Sequence, residues 1–331
     1  MKLSIVSTLY YSAAYIDDFY KRIRAVVDPI TRDYEFVFVN DGSLDNSLDV
    51  ALQLRIRDNR VRVVDLSRNF GHHKAMMTGL EHAQGDLIFL IDVDLEEPPE
   101  ALTICYGTLI ETPDADVVYG VQGERLGSFS DRVLGGLFYQ LFNLLSSDPV
   151  PRDPLTLRLM TRRYVDQLLR HREHRFSIEA LWAITGFKQI PLEINKTERE
   201  GASTYTWGKK LSYVLNAITA FSNKPLIFIS VLGILMTIPA GVYILIILYQ
   251  YFVLGYRVDG WSSMIVSLWF LGGLIILILG IIALYLSVIF VEIKNRPYTI
   301  VRHVYDTSDS AKRVERLTEP QPVANAAKYD H

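Results

Sequence analysis

Two aspartates two residues apart, Asp92 and Asp94, follow an apolar stretch at residues 87–91 and open an acidic run that ends at Glu100. Carboxylates with this spacing, placed where the chain leaves a strand, can both reach one hard cation. Mg²⁺ favours one or two carboxylates together with the phosphates of its substrate. The run therefore predicts a divalent-cation and diphosphate site, with a nucleoside diphosphate compound as substrate. From these residues alone, a polar turn that caps the next helix is the alternative.

The elements that must position this run are visible as short apolar segments that alternate with helical patterns. The predicted strands are residues 3–7, 36–39, 61–66, 87–91 and 117–119. Such alternation predicts an α/β fold with a doubly wound, mostly parallel sheet. Ligands of these sheets bind beyond the carboxyl ends of the strands. The acidic run stands at one of those ends.

Polar residues follow four of the predicted strands and converge on that edge. They are Thr8 and Tyr10, then residues 40–43, then residues 67–69, then Asp92 and Asp94. Each group alone is also typical of a turn or a helix cap with no binding function. The chain has neither a dinucleotide glycine fingerprint nor a phosphate loop that ends in Gly-Lys-Ser/Thr, which disfavours nicotinamide enzymes and ATPases.

Charge and cysteine content exclude several other classes. The formal net charge is −3, so no basic field favours nucleic acid as a partner. Cys105 is the only cysteine, which excludes an internal disulfide and a multi-thiolate cluster. The histidine pairs at residues 72–73 and 171–174 lack a third ligand with suitable spacing, which disfavours zinc. We expect His72 to be a surface side chain, with a phosphate contact as the alternative.

The last third of the chain predicts a membrane region. Residues 226–256 and 261–291 contain no charged residue, and each segment exceeds the roughly 20 residues that a spanning helix needs. Basic residues flank the pair on its outer sides, which predicts that both termini are cytoplasmic. Residues 208–222 show an apolar helical face and predict a helix in the membrane surface, with a soluble-core helix as the alternative.

Five short motifs occur in the order in which family 2 glycosyltransferases of the GT-A fold carry them. They are Asn-Asp-Gly-Ser at 40–43, Leu-Ser-Arg-Asn-Phe-Gly at 66–71, the acidic run at 92–100, Glu-Arg-Glu-Gly-Ala-Ser at 198–203 and Lys-Asn-Arg-Pro at 294–297. The chain resembles this family over residues 2–305. It is most similar to the polyprenyl-phosphate branch, which includes dolichyl-phosphate mannose synthase and bacterial undecaprenyl-phosphate sugar transferases.

The resemblance implies a domain order. Residues 1–205 would form a cytoplasmic GT-A catalytic domain, and residues 206–223 a juxtamembrane amphipathic helix. Residues 224–292 would form two transmembrane helices, and residues 293–331 a cytoplasmic tail, disordered at its end. The protein would be a multi-pass protein of the inner (cytoplasmic) membrane. Whether it forms a homo-oligomer is left open.

The resemblance also assigns roles to residues at the predicted edge. The nucleotide-sugar-binding set is Thr8, Tyr10, Asp41, Arg68 and Asp92. Asp92 and Asp94 would hold Mg²⁺ or Mn²⁺ on the diphosphate, with Glu96 as a third ligand where relatives have glutamine. Asp94, Glu96 and Glu97 are the catalytic candidates. Four positions depart from the pattern of relatives, namely Ser12, Gln122, Thr156 and Thr204. Ser12 stands where relatives have an acidic residue, which leaves base and ribose recognition open.

A lipid phosphate is anionic near neutral pH and needs no general base, so cationic side chains would guide it. The candidates are Arg125, Arg132, Arg158 and Arg199, together with Ser203. The implied reaction is an inverting, metal-dependent transfer of a sugar from a nucleotide sugar to polyprenyl phosphate for cell-envelope glycan assembly. UDP and undecaprenyl phosphate are the expected nucleotide and lipid.

Two other functions stay open from the sequence. The acceptor can instead be a hydroxyl of a lipid-linked glycan, which would require a base such as Glu96 or Glu97. A non-enzymatic alternative is a membrane-anchored scaffold that binds a nucleotide sugar without turnover.

Overall fold

The computed structural model describes residues 1–122, 154–173, 176–194, 260–294 and 296–306, together with single positions between 229 and 253. The strands and helices in these ranges are β1 Leu3–Leu9, α1 Ile16–Val27, β2 Tyr34–Asn40, α2 Ser47–Arg57, β3 Val61–Leu66, α3 His72–His82, β4 Leu87–Leu90, α4 Ala101–Glu111, β5 Val117–Gln122, β6 Pro154–Thr161, α5 Arg162–Leu168, α6 Ile178–Thr185, β7 Gln189–Ile194, α7 Trp261–Ile293 and β8 Val301–Tyr305.

The eight described strands form one mixed sheet in the order β7-β5-β6-β4-β1-β2-β3-β8. Strands β4, β1, β2 and β3 run parallel, and β7 is parallel to β5. Strand β6 lies antiparallel between β4 and β5, and β8 is antiparallel to β3. The predicted α/β fold with a mostly parallel sheet is confirmed. The five predicted strands correspond to β1 to β5.

Helices cover both faces of the sheet, so every residue of β1 and β2 is buried. On one face, α1, α2 and α4 contribute apolar side chains that include Phe19, Leu54 and Leu102. On the other face, α3, α5 and α6 contribute Met76, Leu168 and Trp182, among others. The central strands therefore have no exposed face on which polar chemistry could be placed.

Helix α3 packs closely on the sheet because it carries a glycine at the contact. A Cβ added at Gly79 would lie 2.5 Å from Val6 Cγ1 and 3.0 Å from Val39 Cγ2. Real Cβ atoms almost never approach another heavy atom at the shorter distance. Gly79 thus sets the distance of α3 from β1 and β2, and with it the position of the helix start at His72.

Helix α7 has 33 residues, and its segment Ser267–Ile293 is long and apolar enough to cross a membrane. At about 1.5 Å per residue, these 27 residues span about 40 Å, more than the hydrocarbon thickness of a bilayer. It is the one such helix within the described residues. Most of the first predicted span, and all of the predicted amphipathic helix at 206–223, lie outside the described residues.

After α7 the chain returns to the sheet and adds β8 as an edge strand beside β3. The backbone N–H of Ser67 donates to Ile300 O at 2.9 Å. The Arg302 guanidinium donates to Asp65 Oδ2 at 3.2 Å and to Ser67 O at 2.7 Å. The first part of the predicted tail, which begins at residue 293, is thus an ordered strand of the sheet. A membrane crossed by α7 has β8 and the α/β domain on the same side.

A pair of glycine substitutions tests the close packing of α3. Gly79→Ala should destabilise the protein by about 1–3 kcal/mol, because the new methyl group overpacks the core. Gly107→Ala is the matched control: it lies in α4, has no heavy atom within 4 Å of its Cβ position, and should stabilise by about 0.5–1 kcal/mol. Thermal unfolding in detergent measures both shifts. A Gly79→Ala protein that melts at or above the wild-type temperature would contradict the packing.

Candidate functional site

The parallel register brings residues from three strands to one edge of the sheet. Val6 pairs with Leu90 and Leu9 pairs with Asn40. Asp92 therefore leaves β4 at the level of Thr8 in β1, and Asp41 follows directly on β2. The edge that the sequence predicted is assembled by strand pairing.

The Asp41 carboxylate ties the end of β2 to the loop between β3 and α3. It is 2 % exposed and accepts hydrogen bonds from the backbone N–H groups of Phe70 at 2.7 Å and Gly71 at 3.0 Å. Burial raises the pKa of Asp41, and the two backbone hydrogen bonds oppose that effect. Asp41 thus fixes the backbone that leads into α3.

Gly42 allows the two loops to approach each other. Its φ is +61°, and a Cβ there would lie 2.4 Å from both Arg68 C and Asn69 N. No other residue type fits a left-handed conformation at this separation from backbone atoms. The Asn-Asp-Gly-Ser turn and the Arg-Asn-Phe-Gly loop are therefore one packed unit.

Exposed aromatic rings lie beside this unit. Tyr10 and Tyr11 are 49 % and 55 % exposed, and their rings meet edge to face with centroids 4.8 Å apart. The Tyr11 backbone has a φ of 52°, and its N–H donates to Ser43 Oγ at 2.8 Å. The Arg68 guanidinium lies 4.1 Å from the centroid of the Phe70 ring. These rings offer flat surfaces on which a planar base can stack.

The acidic run divides into an outer and an inner part. Asp92, Asp94 and Glu96 are half-buried, and Asp94 Oδ1 accepts the Glu96 N–H at 3.2 Å. Leu95 has a φ of 64°, which turns the chain sharply between them. The outer carboxylates lie on a tight turn directly behind β4.

Glu97 points into the protein. It is 1 % exposed, and its two carboxylate oxygens accept the backbone N–H groups of Thr156 at 3.0 Å and Leu157 at 2.8 Å. The predicted catalytic role of Glu97 therefore needs correction. A carboxylate held in this way anchors the acidic turn to β6 and is not presented to a substrate.

The predicted cation site is only partly supported by the geometry. Within the described ranges, no three His, Cys, Asp or Glu side chains converge on one cation position. The three-carboxylate set of Asp92, Asp94 and Glu96 is thus not assembled by the protein alone. The oxygen donors of Asp92 and Asp94 do fit a Mg²⁺ or Mn²⁺ ion that takes one or two carboxylates and completes its shell with phosphates and water.

Sequence reasoning missed the role of His72. Its ring lies between Thr8 Oγ1, 3.0 Å from Nδ1, and Asp92 Oδ1, 3.3 Å from Nε2. The side chain is exposed, as the sequence predicts, and it also makes these two contacts. The available signal was its place as the residue that follows the Arg-Asn-Phe-Gly motif.

Arg158 is buried in the sheet and not displayed at its surface. It is 1 % exposed, pairs with Leu90 across the strands, and lies over the Trp182 ring. Its guanidinium donates to Leu155 O at 3.3 Å, and burial lowers its pKa. Arg158 also lines a cavity, and its predicted contact with a lipid phosphate stays a prediction.

A cavity of about 240 Å³ lies above Arg158 on the face covered by α6. Its walls include Tyr119, Glu179, Trp182 and Phe187. Glu179 Oε1 also lies 3.7 Å from His73 Nε2, so the cavity adjoins the start of α3. The other predicted acceptor contacts, Arg125, Arg132, Arg199 and Ser203, lie outside the described residues.

The chain is similar to proteins that are described as glycosyltransferases. The family described as glycosyl transferase family 2 matches residues 4–169. A protein named "Putative glycosyltransferases" from Mycobacterium tuberculosis is 45 % identical over 98 % of this chain and 94 % of its own length. The prophage bactoprenol glucosyl transferase homolog of Escherichia coli is 31 % identical over 92 % of this chain and 99 % of its own length.

A solved structure shows a weaker likeness. The mannosyltransferase from Pyrobaculum calidifontis in complex with GDP-Man and Mn²⁺ is 18 % identical, with a TM-score of 0.47. The match covers 66 % of this chain and 63 % of that chain.

The anchoring role of Glu97 predicts a stability defect. In Glu97→Gln, an amide NH₂ would face the N–H of Thr156 or Leu157, so the protein should lose about 1–3 kcal/mol of unfolding free energy. Glu100→Gln, which removes an exposed ion pair with Arg22 at 2.7 Å, should cost no more than about 1 kcal/mol. Melting temperatures in detergent compare the two. Wild-type stability in Glu97→Gln together with lost sugar transfer would restore the catalytic role.

Proposed function

Because the chain belongs to glycosyl transferase family 2, we propose that this glycosyltransferase moves a sugar from a nucleotide sugar to the phosphate of a polyprenyl lipid. The main support is that Thr8, Asp41 and Asp92 lie at one edge of the sheet. The same domain is connected through β8 to an apolar helix that is long enough to span a membrane. Similarity to bactoprenol glucosyl transferases over more than nine-tenths of the chain supports a lipid phosphate as acceptor.

The donor would lie across the ends of β1 and β2. The exposed ring of Tyr10 is suited to stack on the base. Thr8 lies level with Asp92 on one side of it, and Asp41 follows β2 on the other side. Arg68 is exposed beside the Phe70 ring, where its guanidinium can meet a phosphate oxygen. UDP is the proposed nucleotide.

Asp92 and Asp94, with Glu96 beside them, would hold Mg²⁺ or Mn²⁺ at the diphosphate. When bound, such an ion supplies Lewis-acid stabilisation of the negative charge on the departing phosphate. The protein's own part is to fix these carboxylates. Glu97 does so by anchoring the turn to β6, and Leu95 by its left-handed backbone.

The acceptor phosphate would approach from the side of β6 and α6. Arg125, Arg132, Arg199 and Ser203 are its proposed direct contacts. The buried charge of Arg158, which lines the cavity on this side, adds a positive field for the phosphate, and the low polarity of its surroundings strengthens that field. Since the phosphate oxygen is already anionic, attack on the sugar carbon needs no general base, and the configuration at that carbon inverts.

The protein would work at the cytoplasmic leaflet of the inner membrane as a multi-pass protein with both termini in the cytoplasm. The position of β8 supports this arrangement, since the chain that leaves α7 rejoins the domain that carries the site.

Transfer of label from nucleotide sugars into a lipid extract tests the proposal. Purified protein in detergent is incubated with a panel of labelled nucleotide sugars, with or without undecaprenyl phosphate and with Mg²⁺ or a chelator. One donor should give an acid-labile lipid product that requires both undecaprenyl phosphate and the cation. Label that appears only after addition of a lipid-linked glycan would instead assign a hydroxyl acceptor, and binding without any transfer would assign a scaffold.

The role of Asp92 gives a sharper prediction in the same assay. Asp92→Asn should lower transfer about 100-fold or more, because the cation loses a charged ligand at the diphosphate. Asp86→Asn is the matched control at the opposite end of β4, where the carboxylate accepts the Lys2 N–H at 2.8 Å, and it should transfer at the wild-type rate. Intact transfer by Asp92→Asn would remove this carboxylate from the mechanism.

A further inference from the structure

One imidazole connects three elements of the binding edge. His72 is the first residue of α3, its Nδ1 lies 3.0 Å from Thr8 Oγ1 on β1, and its Nε2 lies 3.3 Å from Asp92 Oδ1 behind β4. Thr8 is 8 % exposed, whereas the His72 side chain is 47 % exposed. The ring thus contacts a buried hydroxyl on one side and is partly exposed to solvent on the other.

The two contacts together select one arrangement of the ring proton. If the Thr8 hydroxyl donates to Nδ1, the proton lies on Nε2 and points at the Asp92 carboxylate. The other neutral tautomer would set the lone pair of Nε2 against a carboxylate oxygen, which is repulsive. A doubly protonated ring also carries a proton on Nε2. The two contacts therefore favour a proton on Nε2, which lies 3.3 Å from Asp92 Oδ1.

The backbone that carries His72 is held in place from both sides. Asp41 accepts the N–H groups of Phe70 and Gly71 immediately before it, and Gly79 sets the distance of α3 from the sheet. The next residue, His73, accepts the Ile178 N–H on Nδ1 at 3.4 Å, which connects α3 to α6. Because this backbone is fixed, the His72 ring can hold the Asp92 side chain in one orientation.

We propose that His72 is a positioning residue, which holds the Asp92 carboxylate in one orientation for the divalent cation. The Nε2–H group beside Oδ1 attracts that oxygen and leaves the remaining acceptor capacity of the carboxylate for the ion. The inference rests on the proposed function, because Asp92 binds a cation only in that account.

Direct measurement of Mn²⁺ binding tests the inference without relying on turnover. The free Mn²⁺ signal in electron paramagnetic resonance is followed as purified protein is titrated in the presence of UDP. His72→Phe, which keeps a ring but has no nitrogen, should weaken Mn²⁺ binding about 10- to 100-fold, as loss of a partner of a metal ligand does. His72→Gln, which keeps an amide donor, should recover most of the affinity.

Two controls separate positioning from general damage. Thr8→Val should weaken Mn²⁺ binding less than His72→Phe, because it frees the ring without removing the donor. His82→Phe, at the other end of α3, where the ring contacts Thr78 O, should bind Mn²⁺ as the wild type does. Transfer by His72→Phe should approach the wild-type rate at saturating Mn²⁺, since the residue acts through cation affinity. Melting temperatures verify that each variant is folded.

The outcomes distinguish a failure of the His72 inference from a failure of the proposed cation site. Unchanged Mn²⁺ affinity in His72→Phe would overturn the inference and leave the proposed function intact. Equal losses in His72→Phe and His72→Gln would also overturn it, because the N–H group beside Asp92 would then not be the cause. A wild-type protein that binds no Mn²⁺ in the presence of UDP would instead overturn the cation site itself.

Discussion

The burial of the central strands on both faces is the constraint on which the rest of the structure depends. Helices cover both sides of β1 and β2, so these strands present polar groups to ligands only at their ends. The parallel register then sets Asp92 level with Thr8 and places Asp41 beside them. A site made from residues far apart in sequence follows from the pairing of three short strands.

Carboxylates serve two different purposes around this edge. Asp41 and Glu97 are buried and accept backbone N–H groups, which offsets the cost of removing their charge from water. They fix the loops that carry the more exposed Asp92 and Asp94. Asp65 extends the arrangement, since it accepts from Asn40 at 2.8 Å and pairs with Arg302 on β8. The strand that follows α7 is thereby tied to the loops of the site.

The sequence predicted the parts of the fold that depend on local patterns. Strands β1 to β5 are apolar runs bounded by turn residues, and the acidic run marks the proposed cation edge. Strand β8 was missed because it pairs with β3 across more than two hundred residues, which no local pattern reveals. The inward direction of Glu97 depends on the left-handed turn at Leu95. The role of His72 required the positions of Thr8 and Asp92, which only the folded sheet brings together.

The central claim is that a nucleoside diphosphate and its cation bind at the edge formed by β4, β1 and β2. Anomalous scattering from Mn²⁺ in crystals of the protein grown with UDP measures the position of the ion directly. The account predicts a Mn²⁺ peak bound to Asp92 and to the diphosphate, with the uracil base beside Tyr10. A nucleotide bound elsewhere, or an ion that does not touch residues 92–96, would contradict it.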